Sequence, residues 1–270
     1  MTLEVMPARM TAEDLADLAQ AIQMLEGASF ASRAANLLGR QTDALGRALP
    51  APALKLVARA AEAALNAALR VAIRSIDQTS PAKASPRLHK AAAAASGAIG
   101  GAFGLAALAV ELPVSTTILL RSIAQIAREA GEDLRQPEAA LACVEVFALG
   151  GQAPGSGPIE GGYFAVRAAL ARSVSESARY LLQKGLADQG APVLVRFVSQ
   201  IAARFGVVVS QKLAAQAVPV IGAIGGAAVN LAFAEHFQTL ARGHFIVRRL
   251  ERAFGAEMVR FEYRRLRNQA

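Results

Sequence analysis

The hexapeptide GAIGGA occurs twice in this chain, at residues 97–102 and 222–227, and each copy lies in a long stretch without a charged side chain. A glycine inside a helix costs about 1 kcal/mol relative to alanine, so a repeated glycine pattern requires a compensating contact. Glycines at three- and four-residue spacing remove the side chains from one stripe of a helix, and a second helix can then approach closely. The two copies can pack on each other, or each can receive a third helix. The glycines predicted to pack helices together are Gly97, Gly101, Gly104, Gly222 and Gly226.

The apolar residues of the whole chain follow the helical period. They make up 54% of the 270 residues, which allows a sizeable core. In the stretch TAEDLADLAQAIQMLE, for example, Leu15, Leu18 and Ile22 recur at helical spacing, and Thr11 can cap the first turn. The strict alternation that is typical of strands is nearly absent. The sequence therefore predicts an all-α fold, a single multi-helix bundle with Ala/Gly-rich central helices, in which residues 1–270 form one domain.

Prolines and glycines divide the chain into predicted helices. A proline disfavours helical geometry in the residue before it but suits the first turn of a helix. We therefore expect a break before Pro113 and a new helix from there to Ala130. The other predicted helices cover residues 11–26, about 30–48, 52–76, 137–149, 163–186, 192–205 with a further segment to 217, and 219–254.

Both uncharged stretches, one from Ala91 to Val110 and one from Pro219 onward, are about as long as the roughly 20 apolar residues of a bilayer span. They consist largely of alanine and glycine and lack the flanking Trp and Tyr residues that mark membrane interfaces. Two interpretations remain open. The stretches form a buried hairpin core, or they insert into a membrane.

The charge is uneven along the chain. The formal net charge is +8, and much of the excess lies after Arg242, in a helix end and a basic tail at residues 256–270. Clustered guanidinium groups can bind acidic lipid headgroups, an acidic partner or phosphates, or they can form a solvated helical face with ion pairs. Few aromatic residues, among them Phe261 and Tyr263, are interleaved with these arginines, which disfavours a nucleic-acid partner.

The compartment follows from cysteine usage and from the first residues. The single Cys143 cannot form an intrachain disulfide, and the opening MTLEVMPARM lacks the pattern of a secretory signal. We expect a cytoplasmic protein. Cys143 lies in an apolar predicted helix, so we expect it to be a structural core residue.

Three polar residues of the predicted helix 219–254 fall on its apolar face. A helical projection places Asn230, His236 and His244 with Phe233 and the other large apolar residues, whereas Glu235, Gln238, Thr239, Arg242 and Arg249 lie opposite. Polar groups on a core-facing stripe need partners, because an unsatisfied buried group costs about 1–3 kcal/mol. They are either satisfied by neighbouring groups or form part of a binding site.

Glu111 supplies a possible partner for one of these histidines. It lies fourteen residues after Gly97, and His236 lies fourteen after Gly222. If the two hexapeptides pack parallel and in register, the acid meets the imidazole, whereas antiparallel packing separates them. Arg121 is an alternative partner for the acid. The candidate ligand-binding or buried polar cluster is therefore Glu111, Asn230, His236 and His244.

No known catalytic or metal-binding motif is present. His236 and His244 are eight residues apart, about 12 Å along a helix, which is too far to share one metal ion. The glycine-rich segment GGQAPGSGPIEGG lacks the Lys-Ser/Thr of a phosphate-binding loop, and no Gly-x-Ser-x-Gly elbow occurs. The sequence predicts no catalytic residue, no metal and no cofactor, and it leaves the oligomeric state open.

Two long segments carry a family resemblance. The segment AVPVIGAIGGAAVNLAFAEHFQTLARGHFIVRRLERAFG resembles the C-terminal end of the EcsC protein family, and GAFGLAALAVELPVSTTILLRSIAQIAREAGED resembles that family's other marked segment. GGYFAVRAALARSVSESARYLLQKGLADQGAPVLVRF is also similar in style. Residues 91–255 carry this resemblance, and residues 1–90 match more loosely. Glu111 stands where the family often has aspartate.

The resemblance implies a function in outline. The family is named after a protein encoded beside an ABC-type transporter, and it offers no established catalytic residues to carry over. We therefore expect a non-enzymatic protein, peripheral at the inner face of the membrane, that binds a lipid-like apolar ligand or a transporter or other membrane-protein partner. Two alternatives remain. One is a hydrolase-like enzyme that uses Glu111 and His236, and the other is an integral membrane protein that inserts both glycine-rich stretches.

Overall fold

The computed structural model describes residues 9–27, 29–37, 49–76, 108–151, 162–184, 191–216 and 222–269. Within these residues the predicted all-α class is confirmed, because every regular element is a helix. The helices are α1 (Ala12–Glu26), α2 (Phe30–Leu37), α3 (Ala51–Ile76), α4 (Leu108–Glu129), α5 (Pro137–Leu149), α6 (Tyr163–Lys184), α7 (Pro192–Gln216), α8 (Gly222–Phe254) and α9 (Ala256–Arg267).

Helix α1 begins as its sequence predicts. The Thr11 hydroxyl accepts a hydrogen bond from the Asp14 amide at 3.1 Å, and the Asp14 carboxylate accepts one from the Thr11 amide at 2.9 Å. This reciprocal capping box satisfies two amide groups that the first turn leaves without helical partners.

Helix α5 occupies the centre of the bundle. Its apolar residues are distributed all around the helix, and from Pro137 to Ala148 only Glu138 is exposed. A helix of this kind has to be covered on every side. It is packed against α3, α4, α6, α7 and α8. Phe147 on α5 meets Phe205 of α7 and Phe237 of α8, with ring centroids 5.2 and 5.3 Å apart.

Helices α4 and α8 run parallel. Glu111 on α4 contacts Asn230 on α8, and Ser122 further along α4 contacts Gln238 further along α8. The two helices therefore run in the same direction. The register differs from an alignment of the two hexapeptides. Asn230 lies 119 residues after Glu111, whereas the hexapeptides are 125 residues apart.

The predicted break before Pro113 is wrong, because α4 begins by Leu108 and continues through the proline. Pro113 lies early in the helix and removes only its own bond to the carbonyl of Ala109. Because the helix continues through the proline, the side chains of Leu108 and Leu112 are both buried in the core. The Thr117 hydroxyl donates to the Pro113 carbonyl at 2.8 Å. Packing of the core therefore outweighs the local preference of the proline.

Two of the five glycines predicted to pack helices together lie among the described residues. Gly222 begins α8, and Gly226 is buried within it. Gly97, Gly101 and Gly104 lie outside the described residues, as do residues 38–48 of the second predicted helix. A further glycine of α8, Gly243, lies where α1 crosses. A Cβ atom at Gly243 would come within 2.8 Å of Leu25 Cγ and 3.1 Å of the Ala21 carbonyl oxygen.

The described part of the basic tail is a helix that is packed on the bundle. Helix α9 contacts α1 and α8, and Val259 and Tyr263 are buried there in a second, smaller apolar cluster. Gly255 separates α8 from α9 with a positive φ of 84°, a conformation that glycine adopts without strain. The sharp turn at Gly255 lets α9 fold back against α8.

Candidate functional site

A buried ion pair joins three helices at one end of the bundle. The Lys212 ammonium on α7 donates to Glu111 Oε1 on α4 at 2.7 Å, and the Asn230 amide on α8 is 3.4 Å from the same oxygen. The side chains of Lys212 and Glu111 are only 1% and 9% exposed. The Lys212 nitrogen also lies 5.0 Å from the centre of the Phe233 ring. Glu111 and Asn230, two of the four predicted site residues, are therefore brought together.

In this ion pair each buried charge compensates the other. Burial lowers the pKa of Lys212, and the Glu111 carboxylate acts in the opposite direction. Removing one member of a buried pair leaves the other charge uncompensated, which typically costs about 3–5 kcal/mol. Sequence patterns alone miss Lys212, because one lysine in the last turns of an apolar helix carries no sign that it faces inward.

The predicted pairing of Glu111 with His236 is wrong. The helices are parallel, as that pairing requires, but Glu111 meets Asn230, which is six residues or about 9 Å before His236 along α8. The buried Lys212 cation supplies the stronger partner for the carboxylate. The acid-base pair on which the hydrolase alternative depends is therefore not assembled.

Helix α8 is buried over more of its circumference than its projection predicts. The projection places Gln238 on the outward face, but Gln238 is buried and its amide donates to the Ser122 hydroxyl of α4 at 2.9 Å. The reason is the number of neighbours, since α8 is in contact with α1, α2, α4, α5, α7 and α9. Glu235 and Arg242 do lie on the exposed side.

His236 lies apart from the ion pair, in the wall of a cavity. The cavity has a volume of about 220 Å³ and opens between the C-terminal ends of α1 and α5, the start of α6, and α8. The imidazole is 4% exposed, and Gly150 covers its Nε2 atom so closely that a Cβ atom at Gly150 would lie 2.8 Å away. Burial and the charge of Arg33 lower its pKa to about 4, while a hydrogen bond with the backbone of Gly150 acts in the opposite direction. His236 is therefore neutral at physiological pH.

His244 belongs to a third environment in the core. Its Nδ1 atom shares a hydrogen bond with the Tyr163 hydroxyl at 2.9 Å, and the imidazole is fully buried. Burial, together with the charges of Arg167 and Arg248, lowers its pKa well below the usual value. The four predicted site residues are thus divided among three places, with Glu111 beside Asn230, His236 at the cavity and His244 in the core.

Buried and half-buried charges surround His244. Arg167 binds Glu251 through two hydrogen bonds of 2.7 and 3.0 Å, and Arg248 binds Glu132 through two of 2.9 and 3.1 Å. Glu145 on α5 is buried nearby, and burial raises its pKa to about 7 against the influence of Arg167. Pairing satisfies most of this network, so it stabilises the junction of α5, α6 and α8.

Cys143 is buried on the same helix as Glu145. Burial raises the pKa of its thiol to about 12, so it stays protonated and unreactive, as expected for a core residue.

The arginines after Arg242 are largely paired with acids. Two of these pairs, Arg260 with Glu257 and Arg265 with Glu262, lie within α9. The others connect separate segments, namely Arg248 and Arg252 with Glu132, Arg249 with Asp17, and Arg267 with Glu26. Much of the positive charge that the sequence concentrates here is therefore compensated within the fold.

An exposed apolar surface lies beside the buried ion pair. Val110 and Val114 on α4 are 72% and 50% exposed, and Leu231 on α8 is 38% exposed. Val110 and Leu231 are the sequence neighbours of Glu111 and Asn230, which are in contact. These three residues are called the apolar end below.

One helix of the described residues, α7, is long and apolar enough to cross a membrane by length and composition. It contacts α2, α3, α5, α6 and α8 and carries the buried Lys212. A core helix of a water-soluble bundle has the same composition, so this single helix is weak support for a membrane span. Over the described ranges, no group of three or more His, Cys, Asp or Glu side chains is placed to hold a metal ion.

Comparison with protein families gives one match. The model of the EcsC protein family matches residues 14–250, which extends the relationship well before the segment 91–255 that carries the resemblance in sequence. Helices α2 and α3, and α1 from its third residue, therefore lie inside the matched region. Comparisons with curated proteins and with solved structures give no match. The chain belongs to the EcsC protein family.

Proposed function

We propose that this EcsC-family protein is a non-enzymatic, cytoplasmic protein that binds the inner face of the membrane through its apolar end. The observation that carries the proposal is the parallel arrangement of α4 and α8. It brings the beginnings of both helices, with Val110, Val114 and Leu231, to the same end of the bundle.

The sequence before these helices supports the same surface. Residues 91–107 and 217–221 contain no charged residue, and each of these stretches leads directly into α4 or α8. A charged residue that entered the hydrocarbon region would oppose insertion, whereas alanine, glycine and aliphatic residues do not. An exposed apolar surface next to uncharged sequence is a typical membrane or partner contact.

The strength of the contact favours reversible binding. Full burial of one aliphatic side chain stabilises by about 1.5–3 kcal/mol, and the three side chains here are already partly covered. The basic tail contributes less than its composition suggests, because Arg260, Arg265 and Arg267 have acidic partners. We therefore expect a peripheral protein whose binding depends more on apolar contact than on lipid charge.

Vesicle sedimentation of the full chain tests this function. We expect the protein to sediment with neutral phosphatidylcholine vesicles, and only modestly more with vesicles that also contain phosphatidylglycerol. The double variant Val110→Gln/Val114→Gln keeps good helix formers but removes the apolar contact, and it should lose most of the binding. Alkaline carbonate should release the wild-type protein, because a peripheral contact does not survive it.

Val195→Gln is the matched control. Val195 is an exposed valine on α7, about 25 Å along that helix from Lys212, and its replacement should leave binding unchanged. A wild-type protein that stays in the supernatant with both kinds of vesicle contradicts the proposal. Equal loss in the control variant would also contradict it. Because the vesicles contain no protein, binding to them separates a lipid surface from a transporter partner.

A further inference from the structure

Helix α3 carries a row of exposed basic side chains on the side that faces away from the core. Its buried side is packed against α4, α5 and α7. On the opposite side, charged residues recur at helical spacing and share one face of the helix. The basic members of this row, called the basic ridge below, are Lys55, Arg59, Arg70 and Arg74. From Lys55 to Arg74 the basic ridge is about 28 Å long.

The positive charge of the basic ridge has no acidic partner in the described part of the chain. None of its four side chains has a carboxylate within ion-pairing distance there. The C-terminal region differs, because Arg248 and Arg252 bind Glu132 and Arg267 binds Glu26. The tail is therefore largely neutralised, whereas α3 presents its cations to solvent. An exposed row of uncompensated charge attracts a partner of the opposite sign.

One acid interrupts the basic ridge and narrows the choice of partner. Glu62 is exposed and lies between Arg59 and Arg70, so the charges along α3 are two positive, one negative and two positive. Nucleic acids and anionic bilayers present negative charge continuously, and that charge would repel the Glu62 carboxylate. A protein segment can instead place a neutral or basic residue opposite Glu62.

The uncharged side chains of α3 also favour a protein segment. Ala63 and Asn66 lie in the middle of the row, where their small size allows a partner helix to approach. Membrane-surface helices place large apolar residues beside their cations, and single-stranded nucleic acids stack on aromatic rings. Helix α3 contains no aromatic residue, and its exposed Leu54 lies about 100° around the helix from Lys55.

We propose that the basic ridge is a docking surface for an acidic helix of a partner protein. The partner helix carries two pairs of acidic residues, each pair spaced by four positions, with a neutral or basic residue between the pairs that meets Glu62. A helix of about 20 residues covers the whole ridge. This inference does not rest on membrane binding, because the basic ridge shares no residue with the apolar end.

Two synthetic alanine-based peptides of about 20 residues test the proposal. The patterned peptide has two glutamates four positions apart near each end and one lysine in the middle. The scrambled peptide has the same composition, but its glutamates are distributed around the helix. In fluorescence anisotropy with the full-length protein at low salt, the patterned peptide should bind about tenfold more tightly, because its four carboxylates can meet the four cations together. Added salt should weaken this binding by screening the charges.

Charge reversal identifies the surface that binds the peptide. Arg59→Glu/Arg70→Glu should weaken binding of the patterned peptide about tenfold and remove the preference over the scrambled one. The milder Arg59→Gln/Arg70→Gln should give an intermediate loss. The matched control is Arg242→Glu/Arg264→Glu, which makes the same change in net charge at exposed arginines of α8 and α9 and should keep the preference.

The proposal is overturned if wild-type protein binds neither peptide, binds both equally, or keeps its preference in Arg59→Glu/Arg70→Glu. It is also overturned if duplex DNA or phosphatidylglycerol vesicles bind through Arg59 and Arg70 more tightly than the patterned peptide, since the occupant is then a continuous polyanion. Sedimentation with phosphatidylcholine vesicles should be unchanged by Arg59→Glu/Arg70→Glu, so a failure of this proposal is distinguishable from a failure of membrane binding.

Discussion

Glu145 is a residue whose ionisation the fold opposes. It lies buried in the central helix α5, and burial raises its pKa from 4.5 to about 7 despite the nearby charges of Arg167 and Arg248. Between these two pH values the folded state holds more protons than the unfolded state. Stability contributed by the protonated carboxyl is therefore complete below pH 4.5 and is lost as the pH rises to 7.

The variant Glu145→Gln tests this effect. Its free energy of unfolding relative to wild type should rise between pH 4.5 and pH 8, by as much as about 3 kcal/mol for a shift of this size. Urea unfolding at a series of pH values measures the difference. Glu138→Gln replaces an exposed carboxyl on the same helix and should show no comparable trend. A constant difference for Glu145→Gln across the series would refute the expectation.

At the scale of helices, the packing role predicted for the hexapeptide glycines stays a prediction, and the structure describes a close helix contact at a glycine that was not predicted. Gly222 and Gly226 lie at the beginning of α8, whereas the α8 glycine at which a Cβ atom would meet another helix, α1, is Gly243, outside either hexapeptide. A single glycine in Arg-Gly-His-Phe forms no repeat, so the sequence contains no periodic signal there. Only the crossing of α1 reveals that a side chain at this position would have no room.

Replacing Gly243 by alanine should destabilise the protein by about 1–3 kcal/mol, because the new methyl group meets Leu25 and the backbone of Ala21. Gly206 provides the opposite case. It lies within α7, and a Cβ atom added there would meet nothing within 4 Å, so Gly206→Ala should stabilise by about 0.5–1 kcal/mol. Chemical denaturation of both variants measures these values. A Gly243→Ala variant as stable as Gly206→Ala would show that the helices do not require the glycine.

At the scale of the whole molecule, the sequence predicts what is local and fails where distant helices meet. The helical period and the Thr11 cap are properties of neighbouring residues, and α1 and α5 begin and end close to their predicted positions. The partner of Glu111 depends on the register between α4, α7 and α8. That register is fixed by packing of the whole core, which no short stretch of sequence records.

The same packing of the core buries titratable side chains, so the free energy of unfolding depends on pH in the acidic range. Burial lowers the pKa of His236 to about 4 and that of His244 well below 6.5, so below pH 6.5 the unfolded state binds more protons and the fold loses stability. Glu145 titrates in the opposite sense over part of this range, so Glu145→Gln should make the acid loss steeper.

His236→Phe should remove up to about 3 kcal/mol of the loss between pH 6.5 and pH 4. Free energies of unfolding from urea titrations of wild type, His236→Phe and Glu145→Gln at half-unit pH steps test both effects together. Parallel curves for all three proteins would mean that these buried groups do not determine the acid response. If the curves of His236→Phe and Glu145→Gln deviate from wild type in opposite directions, the acid response of stability originates at these two buried side chains, one in the cavity wall and one in α5.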